Sequence, residues 1–419
     1  MWATHSAEER RVVTLLAWRR GAFGHLLIAM LPSWLSWSAS LAVIGWLAFA
    51  ATKAPGIVGL VFAVRLAPLV LLGVPVGTLS DRFGRVRILQ VSNLVSAAIF
   101  VALAVLATWM TPTIVLLSVS IGLGLADAGR MVCGNNLVFE FAGDLGPTRA
   151  FAISNLVGAI GQIAGGAIAG VALSTAGPVF AAAIVATGSA ATALLLTGTR
   201  ERYRSGPVQF PSFAAGLRDG LALLQRVPTV GLLIAVALVV EMFAFSCVTL
   251  DPVFAGEVFL VGPAGLGLII AARSVGRLVG SGALAVVRPR QSVGRTLAVA
   301  VLGFGLALAA YSLAPGLAVA LPLVLGAGVA SVLVDALVLS ALQASVNPES
   351  RGRAAGLWVL MIGLQPIGVL EVGFVAQIAG ARFSQGLNGA IVVAFGVVLL
   401  ATSVGRRLKD IGTAGQRVA

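Results

Sequence analysis

The chain has 419 residues, of which 59% are hydrophobic and only 10% charged, and its mean hydropathy is +1.03. Such a composition excludes a soluble domain and indicates a protein that crosses the membrane many times. The formal net charge of +13 would suit a nucleic-acid-binding protein, but the placement of the basic residues points to a membrane topology instead.

Apolar stretches long enough to cross a bilayer, about 20 residues each, recur along the whole chain. Twelve spans are predicted, at residues 23–51, 56–79, 88–108, 113–137, 152–173, 178–198, 228–252, 263–287, 296–314, 317–342, 354–379 and 385–404. The sequence therefore predicts an all-α integral membrane protein.

The basic residues alternate strictly between the two sides of these spans. Twenty-two of the 28 Lys and Arg residues lie in the terminal segments and the even-numbered loops, whereas the opposite side carries only Lys53 and Arg382. The positive-inside rule then places both termini and loop 6–7 in the cytoplasm. We expect a monomer in the bacterial inner membrane, with the lipid bilayer and no nucleic acid as partner.

The first segments of the chain are cationic and then aromatic. Residues 1–22 carry four arginines around an apolar stretch, which is typical of a short helix lying on the anionic inner leaflet. Span 1 contains Trp34 and Trp37 among several serines. This polar-aromatic face is expected to point inward and to line a substrate cavity.

A cationic turn joins spans 2 and 3. It reads Gly77-Thr78-Leu79-Ser80-Asp81-Arg82-Phe83-Gly84-Arg85-Val86-Arg87. Its glycines allow close backbone approach and positive φ. The pattern G-x-x-x-D-R-x-G-R-x-R resembles the signature loop between helices 2 and 3 of the major facilitator superfamily. An ordinary positive loop would explain the arginines, but not the glycines and the aspartate at fixed spacing.

The resemblance implies a fold of two pseudo-symmetric six-helix bundles and a locking role for this loop. Gly77, Asp81, Arg82, Gly84 and Arg85 would hold the two halves in the outward-facing state. The implied contacts are Asp81 with the start of span 11 near residues 353–356, where the helix dipole is positive, and Arg82 and Arg85 with Glu140 or Asp144.

Internal matches support two related halves. They are Gly59–Arg65 with Gly267–Arg273 at an offset of 208 residues, Gly122–Gly124 with Gly326–Gly328 at 204, and Arg149–Ala150 with Arg353–Ala354 at 204. Such a repeat implies a pseudo-twofold axis along the membrane normal and a substrate site near the midplane. The expected units are the segment 1–22, a first bundle 23–199, a linker with an amphipathic helix 200–227, a second bundle 228–405 and a tail 406–419.

Span 5 carries the stretch Gly158-Ala159-Ile160-Gly161-Gln162-Ile163-Ala164-Gly165-Gly166. It is similar to the antiporter signature G-x-x-G-P-x-x-G-G, with Gln162 at the proline position and Gly161, Gly165 and Gly166 retained. Together with the Pro-Glu-Ser-Arg-Gly-Arg stretch at 348–353, it resembles the enterobactin-exporter and macrolide-efflux branch. That branch exports amphipathic small molecules in exchange for protons.

Ionisable residues inside the predicted spans are the main functional candidates, because each costs at least about 2.5–3.5 kcal/mol to insert. They are Arg65, Asp127, Arg130, Glu241, Arg273, Arg277, Asp335 and Glu371.

The acidic members of this set are candidates for proton coupling. Asp127 and Arg130 share one helix face, so they form either a structural pair or a protonatable carboxyl modulated by an arginine. Glu241 lies halfway along span 7 without a charged neighbour in sequence, and it is the leading candidate, the alternative being a hydrogen-bonded packing residue. Asp335 and Glu371 are further candidates.

The basic members are candidates for the substrate cavity. Arg65 and Arg273 occupy equivalent repeat positions and, with Arg130, would hold an anionic substrate group. In the alternative interpretation each arginine pairs with an acidic residue of its own half. Asp335 and Glu371 are both possible partners of Arg273 or Arg277.

The function that these observations favour is secondary transport by alternating access. We expect a proton-coupled exporter of an amphipathic small molecule such as a drug, a siderophore or another secondary metabolite. The alternatives are an uptake carrier or uniporter for an organic anion and, in a different class, a receptor or scaffold that transports nothing. With two histidines, two cysteines within spans and no nucleotide-binding motif, we expect no enzymatic activity, cofactor or metal.

Overall fold

The computed structural model describes residues 21–106, 112–199, 227–286, 293–346, 357, 361 and 363–401. Within these ranges the regular structure is entirely helical, which confirms the all-α prediction. The predicted interfacial segment, the linker, the tail and the stretch 348–353 lie, apart from a few boundary residues, outside the described part.

In the described part of the chain, twelve apolar helices follow one another near the predicted positions. The first six are α1 (Ala22–Thr52), α2 (Pro55–Phe83), α3 (Arg85–Leu106), α4 (Thr113–Glu140), α5 (Pro147–Thr175) and α6 (Gly177–Leu195). The last six are α7 (Pro228–Val258), α8 (Gly262–Val286), α9 (Val293–Leu313), α10 (Leu317–Ala344), α11 (Gln365–Ala379) and α12 (Ala381–Ala401). Eleven are long and apolar enough to cross a membrane, and α11 is a shorter apolar helix in the described range.

Proline and glycine set the short turns between these helices. Pro55, Pro147 and Pro228 stand in the first turns of α2, α5 and α7, where the missing N–H costs no hydrogen bond. Gly84 alone separates α2 from α3, with φ at +93°, a value that a side chain would strain.

Helix α7 is irregular along its length. An α-helical start, Pro228–Val239, passes into a π segment at Val240–Ala244 and a 3-10 segment at Phe245–Leu250. A second π segment, Phe254–Val258, ends it. The predicted end of span 7 at residue 252 is therefore too early, because Pro252 opens a new helical turn instead of terminating the helix. π segments occur often at functional sites.

The helices pack into two groups of six. In the first group α1 packs on α5 and α6, α2 on α4, and α3 on α4 and α6. The second group repeats the scheme, with α8 on α10, α9 on α10 and α12, and α11 on α7. The two groups meet where α2 contacts α11 and where α5 contacts α8.

Glycines allow the helix backbones to approach each other closely at both of these contacts. A Cβ added at Gly59 would lie 3.0 Å from Gly373 Cα, and one added at Gly170 would lie 2.7 Å from Gly267 Cα. Both contacts are near the helix ends that carry loops 1–2, 5–6, 7–8 and 11–12, which we call the odd-loop side. The end that carries loop 2–3 is the even-loop side.

Candidate functional site

Three charged residues of the first half form one buried cluster. Arg65 donates from Nε to Asp127 Oδ2 at 2.8 Å, and Arg130 pairs with the other oxygen of the same carboxylate. Arg65 also donates from Nη2 to Ser40 Oγ at 2.7 Å. Two arginines thus share one aspartate, and the cluster ties α1, α2 and α4 together with one net positive charge.

The equivalent arginine of the second half has a different partner. Arg273 donates from Nη2 to both oxygens of Asp251, at 2.8 and 2.9 Å, and Asp251 is only 2% exposed. Of the possible partners that the sequence leaves open, neither Asp335 nor Glu371 pairs with Arg273 in the described residues, since its carboxylate comes from α7. Each repeat-related arginine therefore pairs within its own half, as the second interpretation of the sequence predicts.

Asp251 is missing from the predicted set of intramembrane charges, although it lies inside predicted span 7, one residue before its end at 252. The largely apolar stretch that continues to residue 261, interrupted only by Glu257, is the signal that would have placed it deeper in the span.

Glu241 lies in the first π segment of α7 and is 6% exposed. The charged groups that act on it are Arg277 of α8 and Asp335 of α10. Arg277 Nη1 donates to Ser331 Oγ at 3.4 Å. Among the described residues the Glu241 carboxyl makes neither a hydrogen bond nor an ion pair within 4.0 Å, so its charge is not fixed by a bonded partner.

Glu371 of α11 has no ion pair in the described part of the chain either. Its carboxyl lies beside the Asn388 amide of α12, and its Oε2 atom is buried without a hydrogen-bond partner. Within the described residues Glu371 forms no ion pair with Arg277, and the acidic candidates divide into a paired one, Asp127, and three that form no ion pair there, Glu241, Asp335 and Glu371.

The two tryptophans of α1 have different surroundings. Trp34 packs against α5, since a Cβ added at Gly158 would lie 3.2 Å from its Cε2 atom. Trp37 is 36% exposed. Gly45 lies about two turns further along the same face of α1. A Cβ added at Gly45 would lie 2.7 Å from Pro252 Cγ in the second half. Trp37 therefore faces the space between the halves, whereas Trp34 forms part of its wall.

The antiporter-like stretch of α5 is a packing seam. Gly161 and Gly165 face α1, and Gly166 faces α8, each where an added Cβ would crowd the neighbouring helix. At the position of the missing proline, the backbone carbonyl of Gln162 accepts a hydrogen bond from Ser38 Oγ at 2.8 Å. The stretch thus holds α5 against both halves of the molecule.

In the loop between α2 and α3, Arg85 bridges two carboxylates. It contacts Asp81 Oδ1 at 3.2 Å and Glu140 Oε2 at 3.3 Å. Arg82 instead lies over the ring of Phe83, 5.3 Å from its centroid. Gly77 lies within α2. The predicted contact of Asp81 with residues 353–356 falls outside the described residues, as does the Asp144 side chain.

Comparison with known proteins gives a consistent assignment. Residues 26–369 match the model of the Major Facilitator Superfamily. A curated relative, the multidrug efflux pump Tap of Mycolicibacterium fortuitum, is 26% identical over 325 residues, which are 75% of this chain and 79% of the relative.

Solved structures share the fold. The nucleoside transporter NupG aligns with a TM-score of 0.73 at 15% identity, over 91% of this chain and 99% of its own. A bacterial homologue of the human lysosomal transporter Spinster, in an inward-facing and occupied conformation, aligns with a TM-score of 0.70 at 17% identity, over 94% and 96%. At these identities the structures support the fold alone.

Proposed function

The chain belongs to the Major Facilitator Superfamily, and from that premise we propose that it is a proton-coupled exporter of an amphipathic small molecule. It is a multi-pass membrane transporter and not an enzyme. Coupling to protons, the outward direction and the substrate class are the parts that we propose.

One observation carries the coupling proposal, the buried Glu241 carboxyl, which has no bonded partner among the residues that the structure describes. An ionised carboxylate in a membrane interior is costly unless water or a cation compensates it. Its protonation should therefore follow whichever side of the membrane the cavity faces. Competition between a proton and the substrate for this region would give exchange.

Asp127 suits this role less well. Both of its oxygens are held by arginines, so its negative charge is already compensated. Asp335 shares the surroundings of Glu241 and Arg277 and is the natural relay partner in the same region.

The relative named as a multidrug efflux pump supports export. The charge asymmetry supports cytoplasmic termini in the bacterial inner membrane. The glycine contacts between the halves lie on the odd-loop side, which this topology places outside the cell, and they support an inward-facing arrangement. Uptake of an organic anion is less favoured, because Arg65 and Arg273 are both engaged by carboxylates.

Transport in proteoliposomes under an imposed pH gradient tests the proposal, with the amphipathic dye ethidium as the transported probe. Glu241→Gln should lose gradient-driven accumulation while still equilibrating the dye. Glu257→Gln, which changes an exposed glutamate of the same helix, is the matched control and should behave as wild type.

Two outcomes would contradict the proposal. If Glu241→Gln still concentrates the dye, the proton is carried elsewhere. If wild type moves the dye but ignores the pH gradient, the protein is a facilitated carrier.

A further inference from the structure

Unpartnered polar atoms are concentrated in one region of the second half. Nine buried side-chain polar atoms of the described residues lack a hydrogen-bond partner, and five of them belong to α8, α9, α11 and α12. These five are Arg273 Nε, Tyr311 OH, Glu371 Oε2, Gln385 Oε1 and Asn388 Oδ1. Buried polar groups nearly always have a partner, either protein or ordered water. Such a concentration therefore points to partners, such as ordered water, that the described protein atoms do not supply.

Electrostatic interactions place four of these groups in one neighbourhood, with Glu371 beside Asn388, and Gln385 lies about one helical turn before Asn388 on α12. Cys247 of α7 is within range of Arg273, Glu371 and Asp251 together, and Tyr311 is within range of Asp251 and Arg273. We call the set Asp251, Arg273, Tyr311, Glu371, Gln385 and Asn388 the C-terminal chamber. Its α9 and α12 members lie inside the second bundle, whereas Asp251, Arg273 and Glu371 belong to α7, α8 and α11, which border the first half.

The charges of the C-terminal chamber do not balance when every group is ionised. Asp251 and Arg273 neutralise each other through their bidentate pair. Of the helices that pack on α11, α12 brings only the uncharged Asn388 to Glu371, and α7 brings Cys247 and Asp251. The intramembrane charge of α2, Arg65, is bonded to Asp127. Glu371 is thus the one carboxyl here, among the described residues, whose charge has no bonded counter-charge.

Aromatic rings close the C-terminal chamber towards the odd-loop side. Tyr311 stacks on Phe254 with 4.6 Å between ring centroids, and Phe259 packs against both. Arg382 lies over Phe259 and donates to the Ser312 carbonyl at 2.7 Å. The rings therefore cover the polar groups on that side.

The first half has no counterpart. Aligning the repeat by its glycine contacts and helix starts relates the chamber positions on α7, α9, α11 and α12 to uncharged, non-hydrogen-bonding side chains or glycine, namely Gly45, Leu103, Ile168, Ala181 and Ile184. Because the first half forms the same fold without these polar groups, the fold does not require them. Their presence therefore points to a function of the second half.

We propose that the C-terminal chamber holds ordered water and binds a proton at Glu371, as a protonation site separate from that at Glu241. Several unpartnered oxygens around one carboxyl supply the two to four polar partners that a buried water needs. A proton on Glu371 removes the uncompensated charge. The part that this proton plays in transport rests on the proposed function, whereas its binding does not.

Infrared difference spectroscopy of the protein in liposomes, between neutral and acidic pH, tests this without substrate or gradient. We expect wild type to gain a carbonyl-stretch component of a protonated carboxyl that Glu371→Gln loses. Glu257→Gln, at an exposed position, should retain that component. Asn388→Leu should shift its frequency, because the neighbouring amide is gone, and transfer to D2O should shift it within mixing time, because water reaches the site.

Glu371→Asp keeps a carboxyl at the site and should shift the component instead of removing it. If Glu371→Gln and wild type give the same difference spectrum, Glu371 does not titrate and the proposal is overturned. It is also overturned if the component ignores both D2O and Asn388→Leu, since the chamber is then dry. Neither result depends on whether Glu241→Gln uncouples transport, so the two proposals fail separately.

Discussion

The two halves of the molecule carry an arginine at the same position of the repeat, but the two arginines have different ion-pair partners. Arg65 takes its carboxylate from α4, where Asp127 also serves a second arginine. The position equivalent to Asp127 in the second half, at the 204-residue offset, is Ser331. Arg273 pairs instead with Asp251 of α7. The first half therefore fixes its carboxylate, whereas the second half leaves three intramembrane carboxyls without an ion pair in the described residues.

Backbone packing, in contrast, is the same in both halves. An added Cβ at Gly124 would overlap the Arg65 carbonyl, and one at Gly328 would overlap the Arg273 carbonyl. A glycine under another helix's backbone tolerates no side chain, whereas a buried charge needs only some partner within reach. The backbone packing is thus shared by the two halves while the charge chemistry differs, and the proton-dependent chemistry is expected in the second half.

The largest expected effect comes from breaking the first-half cluster. Asp127→Ala leaves Arg65 and Arg130 buried without a counter-charge, which costs about 3–5 kcal/mol when a buried pair loses one member. We expect a large fall in thermal stability, measured by unfolding of the protein in detergent. Asp335→Asn, which removes a carboxyl without an ion pair, should change the melting temperature much less. Equal destabilisation by both would remove the distinction between the halves.

The contact between the halves should be the next most sensitive. Gly170→Ala puts a Cβ 2.7 Å from Gly267 Cα, and overpacking of this kind typically costs about 1–3 kcal/mol. We expect the odd-loop side to open, measured as faster thiol labelling of a cysteine introduced at Gln377. Gly303→Ala on α9, where an added Cβ meets nothing within 4 Å, is the control. Unchanged labelling in Gly170→Ala would show that this contact does not close that side.

The smallest effect on stability is expected in the loop between α2 and α3. Asp81→Asn removes one of two carboxylates from a partly exposed arginine, Arg85, and pairs of this kind contribute about 0–1 kcal/mol. We predict slower cycling with nearly unchanged dye affinity, from transport rates and equilibrium binding. Glu140→Gln removes the other carboxylate of Arg85. If both variants slow transport equally, the Arg85 bridge matters; if only Asp81→Asn does, the aspartate has a contact of its own.

Much of the fold could be predicted from the sequence because insertion into a membrane depends on local hydrophobicity. The apolar runs located the helices, and the intramembrane charges located most of the candidate site. The pairing of Arg65 with Asp127 and of Arg273 with Asp251 could not be predicted, because it depends on how each helix is rotated about its axis.

Two further features could not be predicted from the sequence, and each has a physical reason. The buried Asp251 stands before a proline that only the irregular course of α7 carries through the span. Gln385 and Asn388 are uncharged, so an argument based on the cost of inserting charges did not select them, although both are fully buried or nearly so.

Proton release on substrate binding tests the central claim most directly. Purified protein in weakly buffered detergent solution is mixed with ethidium, and a pH indicator records the protons released while dye fluorescence records binding. The account predicts that wild type and Glu257→Gln release protons on binding and that Glu241→Gln binds the dye but releases none. Release from Glu241→Gln equal to that from wild type would contradict it.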